Sequence, residues 1–177
     1  SLSSARSQAW ERAELNDYFH ATQDKQAVRD RVFEILSRHK FNVQATIMEK
    51  SKAHEKVRES KPRFYQYGYY YHFRYGVAPM LRDESETLVT TASLGTRKER
   101  SAFEDAVSDV MRQTHRTDKW RADFMPCQAD PCLQVADYCA WAIQRKWERS
   151  DDRSYALIKD KITYEFELWE KGMRHFY

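Results

Sequence analysis

The segment from Asp130 to Glu148, DPCLQVADYCAWAIQRKWE, is the most helix-like part of the chain. Asp130 can accept hydrogen bonds from the free N–H groups of a first helical turn, and Pro131 occupies a position where proline costs nothing. A helix is therefore predicted to begin at Asp130. Helical spacing places a line of largely polar residues on one face of it: Gln134, Asp137, Trp141, Arg145 and Glu148.

Asp137 is the most informative member of that face. Its neighbours in the segment are dominated by Leu, Val, Ala, Tyr and Trp. A carboxylate in apolar surroundings needs a cation, a hydrogen-bond network or a metal ion as its partner. Two interpretations stay open at this point: Asp137 pairs with a Lys or Arg on a neighbouring element, or it is a functional ligand.

Two strings in this segment carry a family resemblance: Leu133-Gln134-Val135-Ala136-Asp137-Tyr138, and Ala140-Trp141-Ala142 with Arg145 after it. They resemble the carboxy-terminal signature of the bacterial domain-of-unknown-function family 3800. Further similarity covers most of the chain, at Phe19-His20-Ala21, Ala45-Thr46-Ile47 and Ala92-Ser93-Leu94-Gly95-Thr96. That family opens on a strand ending in Asp-Glu-Ser-Gly, which this sequence lacks, so the chain is expected to be incomplete at its amino terminus.

The resemblance implies an α/β, ribonuclease H-like fold with a mixed sheet flanked by helices, whose first strand is missing. It also implies that Asp137, Asp130 and an Asp of the missing strand bind one or two Mg²⁺ or Mn²⁺ ions. Hard divalent cations prefer carboxylate oxygens, and a metal pair can promote phosphodiester hydrolysis. The implied function is that of a metal-dependent nuclease acting on RNA or DNA, incomplete in this chain, so the 177 residues alone are expected to be weak or inactive as an enzyme. For Asp130, capping of the helix is a competing role.

Three more residues receive roles in this hypothesis. Gln134 would orient Asp137 or a water molecule, and Arg145 would contact a phosphate of the substrate strand. Lys50 follows a predicted strand, and strand ends are where open α/β sheets bind ligands. Lys50 is therefore a candidate phosphate ligand, although a solvated Lys is the ordinary alternative.

Composition limits the classes of protein to which the chain can belong. With 177 residues, of which 41% are hydrophobic, the chain predicts one compact domain over residues 1–177. A net charge of +3 permits a nucleic-acid partner without requiring one. The four glycines form no phosphate-binding loop, which argues against an ATPase or dehydrogenase.

Cysteine usage and hydropathy predict the compartment. The three cysteines are an odd number without framework spacing, so they are interpreted as reduced thiols. No apolar run approaches the roughly 20 residues that span a bilayer. A cytoplasmic protein without a membrane partner is therefore predicted.

An aromatic and basic run supports a second hypothesis. Between residues 63 and 75 the chain places Arg63, His72 and Arg74 among Phe64, Tyr65, Tyr67, Tyr69, Tyr70, Tyr71, Phe73 and Tyr75. Such residues can bind nucleic acid, but they also fill cores and dimer interfaces. At helical spacing, Phe64, Tyr67 and Tyr71 are predicted to face the core. The alternative function is a non-catalytic nuclease-like module that binds nucleic acid or forms a homodimer.

Periodicity locates the remaining elements. Helices are predicted from Asp24, as a cap, to His39, and from Thr96, as a cap, to Gln113. Alternation predicts strands over 41–48, 87–92 and 120–125, whereas 162–169 fits a strand or a helix. Residues 150–152 are predicted to cap a further helix through Ile158, and residues 83–85 to form a turn.

Overall fold

The computed structural model describes residues 18–81, 86–93, 95–114 and 119–170, together with Ser4. Helices and strands alternate along the chain, which confirms the mixed α/β class. The α-helices are α1 (Gln26–Ser37), α2 (Lys61–Tyr71), α3 (Arg97–Thr114), α4 (Pro131–Arg149) and α5 (Arg153–Ala156). The strands are β1 (Val43–Ile47), β2 (Thr87–Ala92), β3 (Trp120–Met125) and β4 (Ile162–Glu167). The predicted turn at residues 83–85 lies outside the described residues.

The chain divides into two compact units that alternate along the sequence. Unit 1 consists of Ser1–Val43 and Met125–Thr163, and unit 2 consists of Gln44–Phe124 and Tyr164–Tyr177. The expectation of one domain over the whole chain stays a prediction. Within the described ranges, no helix is both long enough and apolar enough to cross a bilayer.

The described strands form two two-stranded sheets, in which β1 pairs with β4 and β2 pairs with β3. Both pairs are parallel, because backbone hydrogen bonds join like ends of the strands: Thr87 N to Lys119 O at 3.0 Å, and Leu168 N to Ile47 O at 2.9 Å. The predicted strands over 87–92 and 120–125 are confirmed, and the ambiguous tail is a strand. The ribonuclease H-like arrangement stays a prediction.

The core of unit 1 lies between α1 and α4. The α1 stripe contributes Val28, Val32, Phe33, Ile35 and Leu36, and α4 contributes Tyr138, Cys139 and Ala142. Tyr138 is fully buried, and its ring lies 5.5 Å from that of Phe33. The helix predicted at Asp130 is confirmed, because Oδ1 of Asp130 accepts a hydrogen bond from Cys132 N at 2.6 Å.

Asp24 does not cap α1, so this prediction is wrong. The helix begins at Gln26, and its N-cap residue Lys25 makes no capping hydrogen bond with its side chain. Asp24 is buried, and its carboxylate accepts hydrogen bonds from the Tyr138 hydroxyl and from His20 N. A partner on a distant helix therefore takes the carboxylate that the local pattern assigns to capping.

The predicted cap after α4 is also wrong. Ser150 ends α4 in the left-handed region, with φ of 53°, and does not begin the next helix. Asp151 binds Arg145 and Arg153 instead, and α5 is a single turn whose N-cap, Asp152, makes no side-chain cap. The main partners of the Asp151 carboxylate are thus the side chains of Arg145 and Arg153.

Unit 2 is built on α3. Its predicted stripe is buried as expected: Phe103, Val107, Val110 and Met111. The predicted cap is confirmed, since Thr96 Oγ1 accepts from Glu99 N at 3.2 Å while Glu99 Oε2 accepts from Thr96 N at 2.9 Å. This reciprocal pair is a capping box, which satisfies two N–H groups at the start of the helix.

The aromatic run forms α2 and then a π-helical turn, His72–Val77. Tyr69 and Phe73 contact Phe103 of the core, with ring centroids 5.0 and 5.8 Å apart. The prediction that Phe64 and Tyr67 face this core is wrong, because both rings lie against Trp169 instead. A helix that is aromatic on several faces is covered on more than one side, so no single stripe marks its core face.

Candidate functional site

The polar face of α4 holds the segment that precedes α1 in unit 1. Asp137 Oδ2 accepts a hydrogen bond from Ala21 N at 2.9 Å and lies 3.3 Å from His20 Nδ1. Gln134 Oε1 accepts from Phe19 N at 3.2 Å. Two residues selected from the sequence as functional candidates therefore bind main-chain groups of one segment.

Asp137 is fixed through one oxygen and open at the other. Its described partners are a backbone N–H group and the ring of His20, not the Lys or Arg that the ordinary interpretation expects. The side chain is 32% exposed, and no described residue donates a hydrogen bond to Oδ1. A carboxylate that is held in place, partly exposed and engaged through one oxygen can accept a ligand with little rearrangement.

Gln134 is nearly buried, with 5% of its surface exposed. Its Nε2 donates to Cys127 O at 3.4 Å, while its Oε1 is used by Phe19. The amide thus links the turn before α4 to residue 19. It supports the position of Asp137 indirectly, because it holds the same segment at a second point.

Asp130 and Asp137 share a neighbour. Burial raises the pKa of the Cys127 thiol above its ordinary value, and the negative charges of Asp137 and Asp130 raise it further. Both carboxylates are therefore close enough to act on a single side chain. Asp130 also caps α4 through Oδ1, so the capping role is confirmed and only part of its carboxylate is engaged.

The acidic residues of unit 1 offer few ligands for the metal that the sequence predicts. In the part of the chain that the structure describes, no group of three or more His, Cys, Asp or Glu side chains could hold a metal ion. Mg²⁺ commonly needs only one or two protein carboxylates, with waters and substrate phosphates completing its shell. Asp137 and Asp130 are two carboxylates, which is the number that this sparse type of site uses and too few for a closed protein cage.

The two predicted phosphate ligands belong to different units. Arg145 lies on α4 in unit 1, where its guanidinium binds Asp151 at 2.8 Å. Lys50 lies in unit 2 and is exposed at the start of the 3₁₀ turn Lys50–Lys52 that follows β1. The unit 1 contacts thus bring Gln134 and Asp137 to one segment, while Asp130 is linked to Asp137 only by their common effect on Cys127, and Arg145 lies further along the same helix.

Sequence reasoning missed His20 and Cys127 as members of this site. The string Phe19-His20-Ala21 contributes to the family resemblance, and that was the available signal for His20. No signal marked Cys127, whose position near two acids depends on the turn Cys127–Ala129 before α4. The proximity of both residues to Asp137 becomes visible only in the folded structure.

Comparisons of the chain with protein-family models, with curated proteins and with solved structures found no match. The resemblance to the domain-of-unknown-function family 3800 therefore stays a prediction. The contacts of Asp137 are the evidence on which a functional hypothesis must depend.

Proposed function

We propose that this chain is a divalent-metal-dependent phosphodiesterase of the ribonuclease H-like type that acts on nucleic acid. The observation that carries the proposal is the state of Asp137. One of its oxygens is held by Ala21 N, and the other is not engaged by the described residues. The family resemblance assigns the metal-binding role to the same residue.

The residues that would hold Mg²⁺ or Mn²⁺ are Asp137 and Asp130. Each uses one carboxylate oxygen in a backbone hydrogen bond, which leaves the other for a ligand. When bound, the metal would stabilise negative charge on the oxygens of a phosphodiester. The protein's own contribution is orientation: Ala21 N–H and Gln134 hold the segment and the helix that carry this site in register.

The first test measures binding of Mn²⁺ alone by isothermal titration calorimetry. Asp137→Asn keeps an oxygen that can accept from Ala21 N, but it removes the charge that attracts the cation. We expect at least about tenfold weaker binding. Asp109→Asn is the matched control, since Asp109 is an exposed helical Asp in unit 2. Equal affinity in wild type and Asp137→Asn would remove Asp137 from the site.

The second test measures cleavage of labelled single-stranded RNA and of double-stranded DNA with Mg²⁺ and with EDTA. Weak cleavage is expected, because this chain holds two of the three acids that the resemblance implies. That cleavage should require the metal, be lost in Asp137→Asn and be kept in Asp109→Asn. Nucleic-acid binding without any Mn²⁺ binding would contradict the proposal. That result would favour the alternative, a non-catalytic module.

A further inference from the structure

A second site lies in unit 1, on the side of α4 that carries Trp141 and Arg145. A cleft of about 560 Å³ opens there between α1, α4 and α5. Four arginines and three acidic residues line it, so positive charge is in excess. The volume is within the range of about 300 to 1,000 Å³ that small-molecule sites occupy.

Trp141 organises two of the arginines. The guanidinium of Arg29 lies 4.9 Å from the centre of the indole ring, and that of Arg145 lies 5.7 Å from it. Such cation–π contacts hold a guanidinium in place and keep its charge. The positive groups are therefore positioned before any ligand arrives.

The charges of these arginines are only partly neutralised. Arg29 donates to two neutral acceptors, Ala21 O at 2.9 Å and Gln26 Oε1 at 3.3 Å, and no carboxylate of the described residues pairs with it. Asp151 is shared by Arg145 and Arg153, so one carboxylate serves two cations. Nε of Arg145 is buried and has no hydrogen-bond partner among the residues that the structure describes.

A bound anion would neutralise the remaining positive charge of these arginines. A phosphate group offers several oxygens to guanidinium donors, and arginine matches it better than any other side chain. We propose that the cleft binds the phosphate group of a small phosphate ester or free phosphate, through Arg29, Arg145 and Arg149. The site requires no metal ion, and Arg145 is the one of these three arginines that the nuclease hypothesis also uses.

The test is calorimetric titration with inorganic phosphate and, separately, with AMP, both in EDTA. Arg149→Gln is the main variant, because Arg149 lines the cleft with an exposed side chain. Arg29→Gln is the second variant, although it also removes the bond to Ala21 O, so its helix content is checked by circular dichroism. Arg31→Gln is the matched control on α1, where Arg31 pairs with Glu34.

We expect saturable binding to the wild type, at least about tenfold weaker in Arg149→Gln and unchanged in Arg31→Gln. Tighter binding of AMP than of phosphate would identify a nucleotide ligand, and equal binding would identify the phosphate group alone; either supports the site. No saturable heat with either ligand would overturn the proposal. An equal loss of affinity in Arg31→Gln would overturn it too, since net charge would then explain the binding.

Discussion

The hydroxyl of Tyr138 and the carboxylate of Asp24 are buried polar groups that bind each other, although they are 114 residues apart in the sequence. Its hydroxyl donates to Asp24 Oδ2, and the same oxygen accepts from His20 N at 2.9 Å. A buried carboxylate is stable only when donors surround it. The Tyr138 hydroxyl thus has a structural function in unit 1 that its apolar surroundings do not suggest.

Replacing Tyr138 by Phe removes that donor and leaves the ring in place. We expect the free energy of unfolding at pH 7 to fall by about 1.5 to 3 kcal/mol, because a hydrogen bond to a charged group is lost. Urea denaturation measures the change. Tyr65→Phe is the control, since Tyr65 is exposed, and it should stay within about 0.5 kcal/mol. Equal stability of Tyr138→Phe and wild type would mean that Asp24 does not depend on this bond.

The same hydroxyl makes stability depend on alkaline pH. Burial, and then the hydrogen bond to Asp24, raise the pKa of Tyr138 far above its ordinary value of 10.0. Above that value the unfolded chain releases the proton while the folded chain keeps it, so stability must fall as pH rises. The slope from this group increases through pH 10 towards a limit of about 1.4 kcal/mol per pH unit. Tyr138→Phe should lack that part of the slope in denaturation curves recorded between pH 9 and 11.

His72 makes the stability of unit 2 depend on pH in the acidic range. Burial lowers the pKa of its ring below the ordinary value of 6.5, and its Nδ1 lies 3.1 Å from Thr46 Oγ1. Below that value the unfolded chain takes up a proton that the folded chain resists, so stability should fall as pH drops from 6.5 towards 5. We expect His72→Gln to reduce this loss. His39→Gln, at an exposed position, should not change it.

At the scale of the element, α4 could be predicted because its signals are local. Asp130 and Pro131 mark its start, and the apolar spacing marks its length. The alternation in β2 and β3 is local in the same way. Asp24 was misassigned because a residue of another helix competes for its carboxylate, and the π-helical turn after α2 has no sequence signature of its own.

The side chains of the candidate site could be predicted from the sequence, but their backbone partners could not. Asp137 and Gln134 stand out as polar residues in an apolar helix, which the sequence displays directly. Their partners are the N–H groups of Ala21 and Phe19, more than a hundred residues away. Since every residue except proline has a backbone N–H, no sequence pattern identifies which one will be used.

Two substitutions of Asp130, at the start of α4, can distinguish its capping role from a metal-binding role. Asn caps helices about as well as Asp, whereas Ala does not. We expect Asp130→Ala to lower the free energy of unfolding by about 1 kcal/mol and Asp130→Asn to leave it nearly unchanged. If Asp130 is also a metal ligand, Asp130→Asn should still weaken Mn²⁺ binding. A large loss of stability in Asp130→Asn would show that the charge itself is structural.

At the scale of the whole molecule, the chain passes from one unit to the other three times. The passages fall after Val43, Phe124 and Thr163. Two of them lie within the paired strands β1 and β4. Each of these strands has residues in both units. Their pairing is therefore expected to stabilise the strand residues of each unit.

A chain that ends at Lys161 tests this expectation, because it lacks β4 and Trp169. We expect the amides of β1 to exchange with deuterium at least about tenfold faster, since their pairing strand is gone, while amides in the middle of α4 change much less. A chain that ends at Glu170 is the control, because it retains β4. Unchanged protection of β1 in the shorter chain would show that β4 does not stabilise it.

The position of β4 late in the sequence also affects synthesis on the ribosome. The residues of β1 leave the exit tunnel before those of β4, so β1 has no pairing strand while residues 48–161 are synthesised. An unpaired strand edge can join the edge of a neighbouring nascent chain. Products of ribosomes that stall before Ile162 would carry this open edge and would aggregate more readily than a chain that contains β4.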